Sequence, residues 1–423
     1  MLYEQWKENA LRNSGTIALR CLATGRQWTF GELATEAESL PRTTEPCVFP
    51  TGRSADFILE TLRGWRDQRT VCPLEDGTNR PELHDLPSEI KHIKMTSGTS
   101  GASRLVAFTE AQLAADARNI VETMHLSRES PNLAAVSLAH SYGYSNLVLP
   151  LLLYGVPLVI ASSPLPDSVR RALAVDSNWT IPAVPALWQA WFSADVISRG
   201  IRMALSAGAP LPIALEQEIH EKFSLKIHNF LGSSECGGIA FDRTHTPRTD
   251  ASLVGTALEH VKVTTTADAR ICVESAAVAS TYWPTPEAAL GQGRFKLNDY
   301  GEIRNTGIHL SGRVGDQINI AGRKLSPEKI ERALLRYPNL RECLVFGIPS
   351  DNAERNEEIV AVIVGQPGDI PALRQHLHRL LPAWSIPKHW FFVDSLNPNT
   401  RGKTSRTDWR TRFLSTRNRQ RGS

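Results

Sequence analysis

The sequence predicts an α/β protein: a large N-terminal α/β domain with several subdomains, followed by a small C-terminal α+β domain. Three observations lead there. At 423 residues, 41% hydrophobic and 22% charged, the chain can supply two or three sizeable cores. Its opening stretch alternates strand-like and helix-like segments in the βαβ rhythm of a parallel sheet. Its closing stretch shows short apolar strands separated by amphipathic helical spacing.

Residues 16–22 and 27–29 read as strands, and 30–39 as a helix. Segments 47–50, 55–65 and 70–73 then give strand, helix and strand. Residues 90–95 and 104–108 are strand-like and bracket a polar, glycine-rich turn. Thr109 with Gln112 forms a capping-box pattern, and Leu113, Ala117, Ile120, Val121 and Met124 follow at helical spacing, which predicts a helix over 109–125. The most apolar run, 147–161, contains Pro150, Gly155 and Pro157 and is too short to span a bilayer, so it belongs to a core. Ser326 and Pro327 are expected to cap and open a helix. Residues 341–347, 359–365 and 389–393 read as strands, and Leu373, Leu377, Leu380 and Leu381 mark a second helix. The arginine-rich stretch 410–421 reads by default as a solvated tail.

Composition narrows the function classes. A net charge of +3 is small for this length and argues against wholesale nucleic-acid binding. The six cysteines are scattered, without a CxxC pair or metal-ligand spacing, as expected of free thiols in a reducing cytoplasm. The first residues carry acids and no apolar core of a signal peptide. A cytoplasmic protein without transmembrane segments is the expectation.

Chemistry concentrates in Lys94-Met95-Thr96-Ser97-Gly98-Thr99-Ser100-Gly101-Ala102-Ser103-Arg104. Glycine lets backbone amides turn into one concavity, hydroxyls suit phosphate oxygens, and a following cation neutralises charge. Such a cluster can also be a plain polar surface loop. A Walker-type loop needs Gly-Lys-Ser/Thr opening a helix, whereas this turn runs into a strand-like segment.

Thr96-Ser97-Gly98-Thr99-Ser100-Gly101-x-x-Arg104 closely resembles the phosphate loop of AMP-forming adenylating enzymes, the superfamily of acyl-CoA synthetases and peptide-synthetase adenylation domains. The resemblance recurs in order along nearly the whole chain, and the sequence looks like a compact acyl- or aryl-CoA ligase. The segment before the loop is shorter than the family's. Leu138-Ala139-His140-Ser141-Tyr142-Gly143 is similar to a family segment that carries a His beside the acyl pocket, which would put His140 and Tyr142 there. Without the resemblance, a lone His among apolar residues is a core histidine with its hydrogen bonds satisfied. Gly208 and Ala209, within Ser206-Ala207-Gly208-Ala209-Pro210-Leu211, resemble the segment that passes one face of adenine. Leu231-Gly232-Ser233-Ser234-Glu235 resembles Tyr-Gly-x-Thr-Glu, whose Glu binds Mg²⁺ and whose aromatic residue stacks on the base. Leu231 gives up that stacking, worth about 1 kcal/mol. Asp299 matches the aspartate that holds the ribose, although the preceding Thr-Gly is Leu297-Asn298 here.

Ser311-Gly312-Arg313-Val314-Gly315-Asp316-Gln317-Ile318-Asn319-Ile320-Ala321-Gly322-Arg323-Lys324 resembles the most specific run of the family's second half. By that resemblance Arg313 reaches the ribose, Gly322 lets a strand pass a pantetheine arm, and Gly315 falls on the hinge, usually Asp or Lys. Asn397-Pro398-Asn399-Thr400-Arg401-Gly402-Lys403-Thr404-Ser405-Arg406 resembles the family's lysine loop, one residue short, with Lys403 as the adenylation lysine. The implied domains are 1–313, for nucleotide binding and adenylation, and 314–423, a mobile domain that carries the lysine.

What the resemblance implies is an enzyme, an AMP-forming acid–thiol ligase. It would use ATP and Mg²⁺ to convert a carboxylic acid into an acyl adenylate, then pass the acyl group to CoA. An acyl carrier protein is the alternative acceptor, and the 410–421 stretch a docking patch for CoA phosphate or that carrier. Thr96 to Gly101 with Arg104 would hold the phosphates, Glu235 would ligate Mg²⁺, and Lys403 would bridge carboxylate and α-phosphate. No Asp near His140 or Tyr142 offers itself to an α-amine, and Leu138, Ala139, Tyr142, Tyr144 and Ile239 suggest a fatty or aromatic acid. From another class, the departures from the family pattern fit a non-catalytic nucleotide-binding protein.

Overall fold

The computed structural model describes residues 1–96, 104–320, 323–338, 340–350, 357–365, 369–396 and 404–421. The chain divides into two compact units, one of residues 1–264, 272–296 and 305–308, the other of 265–271, 297–304 and 309–423. Among the described residues no helix is long and apolar enough to cross a membrane.

In the first unit, parallel strands Ile227–Ser233, Ile201–Ser206, Trp179–Ala183, Asn132–Ala134, Leu158–Ile160 and Ile17–Cys21 lie side by side in that order. Antiparallel neighbours flank them: Gly237–Phe241 with Leu253–Ala257 on one side, and Arg26–Thr29 on the other. Trp179, Ile181, Trp188, Trp191, Leu215 and Ile227 belong to the core packed on this sheet. Helix Leu2–Arg12 begins the unit and buries Leu2, Tyr3, Trp6 and Ala10 on one face. The capping box predicted at Thr109 forms, and a second one is found at Thr29, each hydroxyl accepting from the backbone N–H three residues on. The apolar run after residue 147 is buried as helix Leu149–Tyr154 and strand Leu158–Ile160.

A second, five-stranded sheet runs Thr281–Trp283, Arg104–Phe108, His92–Thr96, Thr70–Val71, Cys47–Val48. The last three are parallel, the βαβ arrangement the sequence predicts, and the first two are antiparallel additions. Ile93, Leu105 and Ala107 bury one face, with Met95 and Trp283 packed against it. Strand alternation puts His92, Lys94 and Thr96 on the other face, opposite Phe108, Val106 and Arg104.

Beneath strand Ile227–Ser233 lies a buried quartet of charges. Lys226 Nζ is 2.7 Å from Asp242 Oδ2 and also contacts Glu216, and Arg248 Nε donates to Glu216 Oε2 at 2.9 Å. All four side chains are at most 6% exposed. Removing one member leaves an uncompensated buried charge, so Lys226→Met is expected to cost about 3–5 kcal/mol. Urea denaturation of the purified variant checks this; a loss below about 1 kcal/mol would mean the quartet is not a closed electrostatic unit.

The second unit contains strands Cys343–Pro349, Glu357–Val364 and His389–Val393, with the hairpin Ile318–Ile320 and Arg323–Leu325. Helices Pro327–Leu334 and Ile370–Leu380 bury Ile330, Leu334, Leu373 and Leu377 against one face. Two expectations need correction. Ser326 stands at the N-cap and Pro327 opens the helix, but the Ser326 hydroxyl donates to Glu328 instead of accepting a backbone N–H. The C-terminal stretch is not a solvated tail but helix Arg406–Arg421. Trp409 is buried with the sheet's second face, and Phe413 and Leu414 pack against that cluster. Those three residues form a short apolar stripe that the surrounding arginines hide from a composition-based reading.

Candidate active site

Thr96 and Arg104 close the base of the predicted phosphate loop. They pair across the antiparallel ladder, and Thr96 Oγ1 donates to the Arg104 carbonyl at 3.1 Å. Ser97, Gly98, Thr99, Ser100 and Gly101 lie outside the described residues. The Arg104 guanidinium sits 3.7 Å from the centroid of the Tyr282 ring and pairs with Glu287. Tyr282 stands opposite Val106, two residues along from Arg104, so strand alternation brings ring and guanidinium to one face. Its hydroxyl donates to Glu235 Oε1 at 3.0 Å. Burial, and then the Glu235 carboxylate, raise the Tyr282 pKa, which keeps the phenol a donor. Arg104 and Glu235, far apart in sequence, are thus joined through one tyrosine.

Glu235 occupies the tip of the hairpin between strands Ile227–Ser233 and Gly237–Phe241, where Ser233 pairs with Gly237. Gly237 has φ +69°, and a Cβ there would lie 2.1 Å from Asp116 Oδ1. A left-handed φ favours glycine at this position, and the close approach of Asp116 adds a second reason for it. Gly232 and Ser234 flank the tip, and the Glu235 carbonyl accepts the Ala279 N–H at 2.8 Å. Gly208 and Ala209 follow strand Ile201–Ser206, whose Ser206 pairs with Asn229. The Gly208 loop and the Glu235 hairpin therefore leave the carboxyl ends of adjacent parallel strands, the usual place for ligands in open α/β sheets.

Tyr142 stacks on Phe230 at 5.8 Å between centroids and 27° between planes. That contact ties the predicted acyl-pocket segment to the strand leading to Glu235. Burial raises the Tyr142 pKa, with the Ala183 backbone working against the shift. His140 is half-buried at the N-terminus of the short helical turn Ser141–Gly143.

Behind these residues sits a group that the motifs did not mark. Lys94 is buried, its ammonium 3.6 Å from Asp116 Oδ2, 3.3 Å from Ser145 Oγ and 4.6 Å from the centroid of the Phe108 ring. Asp116 accepts the Ser145 hydroxyl at 2.6 Å and the Gly238 N–H at 2.9 Å. The sequence places His92, Lys94 and Thr96 on one face, since polar residues stand at every second position of a strand. A solvated face gives the same pattern, so the burial of Lys94 was not written in it.

A Mg²⁺ ion takes one or two carboxylates plus substrate phosphates and water. No cluster of three or more His, Cys, Asp or Glu among the described residues could hold a metal unaided. One carboxylate at a hairpin tip, with an oxygen steadied by Tyr282, fits the phosphate-shared mode.

In the second unit, Arg313 Nε lies 3.5 Å from Asp299 Oδ1, so the two predicted ribose contacts are neighbours. Gly315 has φ +90° and open space around its Cβ direction. Arg406, three residues after the lysine, donates to Asp316 at 2.8 Å, to Glu331 at 2.9 and 3.0 Å and to the Val345 carbonyl at 3.1 Å. It also pairs with Glu328 at 2.9 Å. Gly322 and Lys403 themselves lie outside the described residues.

The model of the AMP-binding enzyme family matches residues 60–283, more than half of the chain, and that of the AMP-binding enzyme C-terminal domain matches 329–403. A feruloyl-CoA synthase of Amycolatopsis sp is 27% identical over 359 residues, covering 78% of this chain and 72% of its own. The ATP-bound MatB of Rhodopseudomonas palustris superposes with a TM-score of 0.84 at 19% identity, over 98% of this chain and 99% of that one. The o-succinylbenzoate CoA synthetase of Bacillus subtilis, in complex with its acyl-adenylate intermediate, gives 0.80 at 19%, over 96% and 97%.

Proposed function

This chain belongs to the AMP-binding enzyme family, and from that premise we propose that it is an AMP-forming acid–thiol ligase acting on an uncharged fatty or aromatic acid. The observation that carries the reading is the Glu235–Tyr282–Arg104 constellation at the base of the phosphate loop. It offers an anchored carboxylate and a planar cation on one face. The carboxylate oxygen of the acid attacks the α-phosphorus of ATP, the α–β bond breaks, and pyrophosphate leaves. Such phosphoryl chemistry needs positioning and charge stabilisation more than covalent help. Arg104, whose fork suits bidentate phosphate contact, and the Thr96–Gly101 loop hold the β- and γ-phosphates. Glu235 would hold Mg²⁺, which when bound neutralises phosphate charge. Gly208, Ala209, Gly232 and Ser234 border the base, Asp299 and Arg313 hold the ribose, and Lys403 bridges the carboxylate and α-phosphate. The CoA thiol then attacks the acyl carbon and AMP departs. Residues 314–423 turn about Gly315 between the two steps, and Gly322 then borders the pantetheine arm.

Pyrophosphate release measured over a panel of fatty, aromatic and amino acids, with ATP and MgCl₂, tests the reading. Turnover on a fatty or aromatic acid is expected, followed by thioester formation with CoA. Release with amino acids alone would overturn the substrate class, and transfer only to a carrier protein would replace CoA as acceptor. Tyr282→Phe deletes one hydrogen bond to a carboxylate, worth about 1.5–3 kcal/mol. It is expected to raise the MgCl₂ concentration for half-maximal release roughly tenfold with little change in melting temperature. An unchanged MgCl₂ requirement would detach Tyr282 from the site.

A further inference from the structure

We infer that the buried Lys94–Asp116 pair is a positioning device for the phosphate end of the site, locking the strand that enters the phosphate loop to the hairpin tip that carries Glu235. The inference rests on the nucleotide reading above and assigns roles to two residues outside it. Lys94 lies on strand His92–Thr96, two residues before Thr96. Asp116 lies on helix Glu110–Met124, far along the chain from the Glu235 hairpin. Its carboxylate has three partners: Lys94 from the loop strand, Ser145 from the turn Tyr144–Val148, and the Gly238 N–H from the hairpin. Side chains of Lys94 and Asp116 are each 3% exposed, so neither charge is screened by water.

Geometry makes the contact specific. Asp116 presses on Gly237 so closely that no side chain fits there, and one oxygen accepts the next amide along. A shift of Asp116 therefore moves the turn that ends three residues after Glu235. A shift of Lys94 pulls on the other oxygen of the same carboxylate. Around the pair stand neutral His92, whose pKa burial and then Lys94 hold well below its usual value, the Phe108 ring and Ser145. Burial also lowers the Lys94 pKa, and Asp116 works against that shift. A hydrophobic residue in place of Lys94 would serve as well for packing alone. A charge here is explained by the coupling it enforces.

Binding of α,β-methylene-ATP with MgCl₂ and of AMP, both by calorimetry, separates positioning from mere stability. The set is wild type, Lys94→Met, Asp116→Asn, the double variant Lys94→Met with Asp116→Asn, and Lys94→Met with Asp116→Ala. Either single neutralisation is expected to weaken the triphosphate analogue about tenfold and AMP less than twofold. The first double variant should lose about as much as either single, because one missing end already breaks the tie between strand and hairpin. Lys94→Met with Asp116→Ala should lose more, since the Gly238 amide also loses its acceptor. Equal weakening of both nucleotides, or recovery of wild-type binding in the first double variant, would overturn the inference, the latter by tracing the single losses to a lone buried charge. If a single variant does not fold, the two double variants, which leave no buried charge alone, decide it against wild type. Failure of the wild type to bind either nucleotide would instead overturn the nucleotide reading itself.

Discussion

Lys403→Ala is expected to lower acid-dependent pyrophosphate release by about 10²–10³-fold, the scale for deleting one preorganised transition-state donor. Thioester formation from a pre-made acyl adenylate should be nearly unchanged, because in the proposed reaction the ammonium serves the α-phosphate and not the thiol. The discriminating measurement is the ratio of the two half-reactions in one preparation. An equal fall in both would show that Lys403 supports the fold or the nucleotide generally. Arg406 makes the converse case: with Asp316, Glu328, Glu331 and Val345 as partners, it braces the segment that follows the lysine.

The second large effect is expected at Gly315, where φ is +90°. Proline fixes φ near −65°, so Gly315→Pro cannot adopt the observed backbone. One of the two half-reactions should then collapse while the other survives, and assaying each separately on this variant reveals which. Gly315→Ala is strained at this φ whatever space surrounds it and should show a milder form of the same asymmetry. Equal retention of both half-reactions in the proline variant would remove residue 315 from the role of hinge.

Much of this organisation was legible in the chain. The capping box at Thr109 and the strands on either side of the phosphate loop follow from local chemistry, which sequence states directly. The relation of Arg104 to Glu235 did not follow. It depends on Tyr282, whose strand joins the sheet from far along the chain, and register across such a pairing is a tertiary fact. Lys94 shows the same limit from the other side. Its place on a strand was readable, but a lysine is almost never buried without a partner. That partner, Asp116, lies on a helix whose periodic pattern marks only its apolar residues. The C-terminal helix escaped for a compositional reason, since three apolar residues among many arginines do not stand out.

The buried quartet of Glu216, Lys226, Asp242 and Arg248 also bears on how this protein can be recombined with its relatives. Two cations and two anions satisfy one another within a single contiguous segment. A crossover inside that segment would import half of a charge set matched to a different parent. Chimeras joined before residue 216 or after residue 248 inherit the set whole. Gene shuffling across this region should therefore treat 216–248 as one indivisible block.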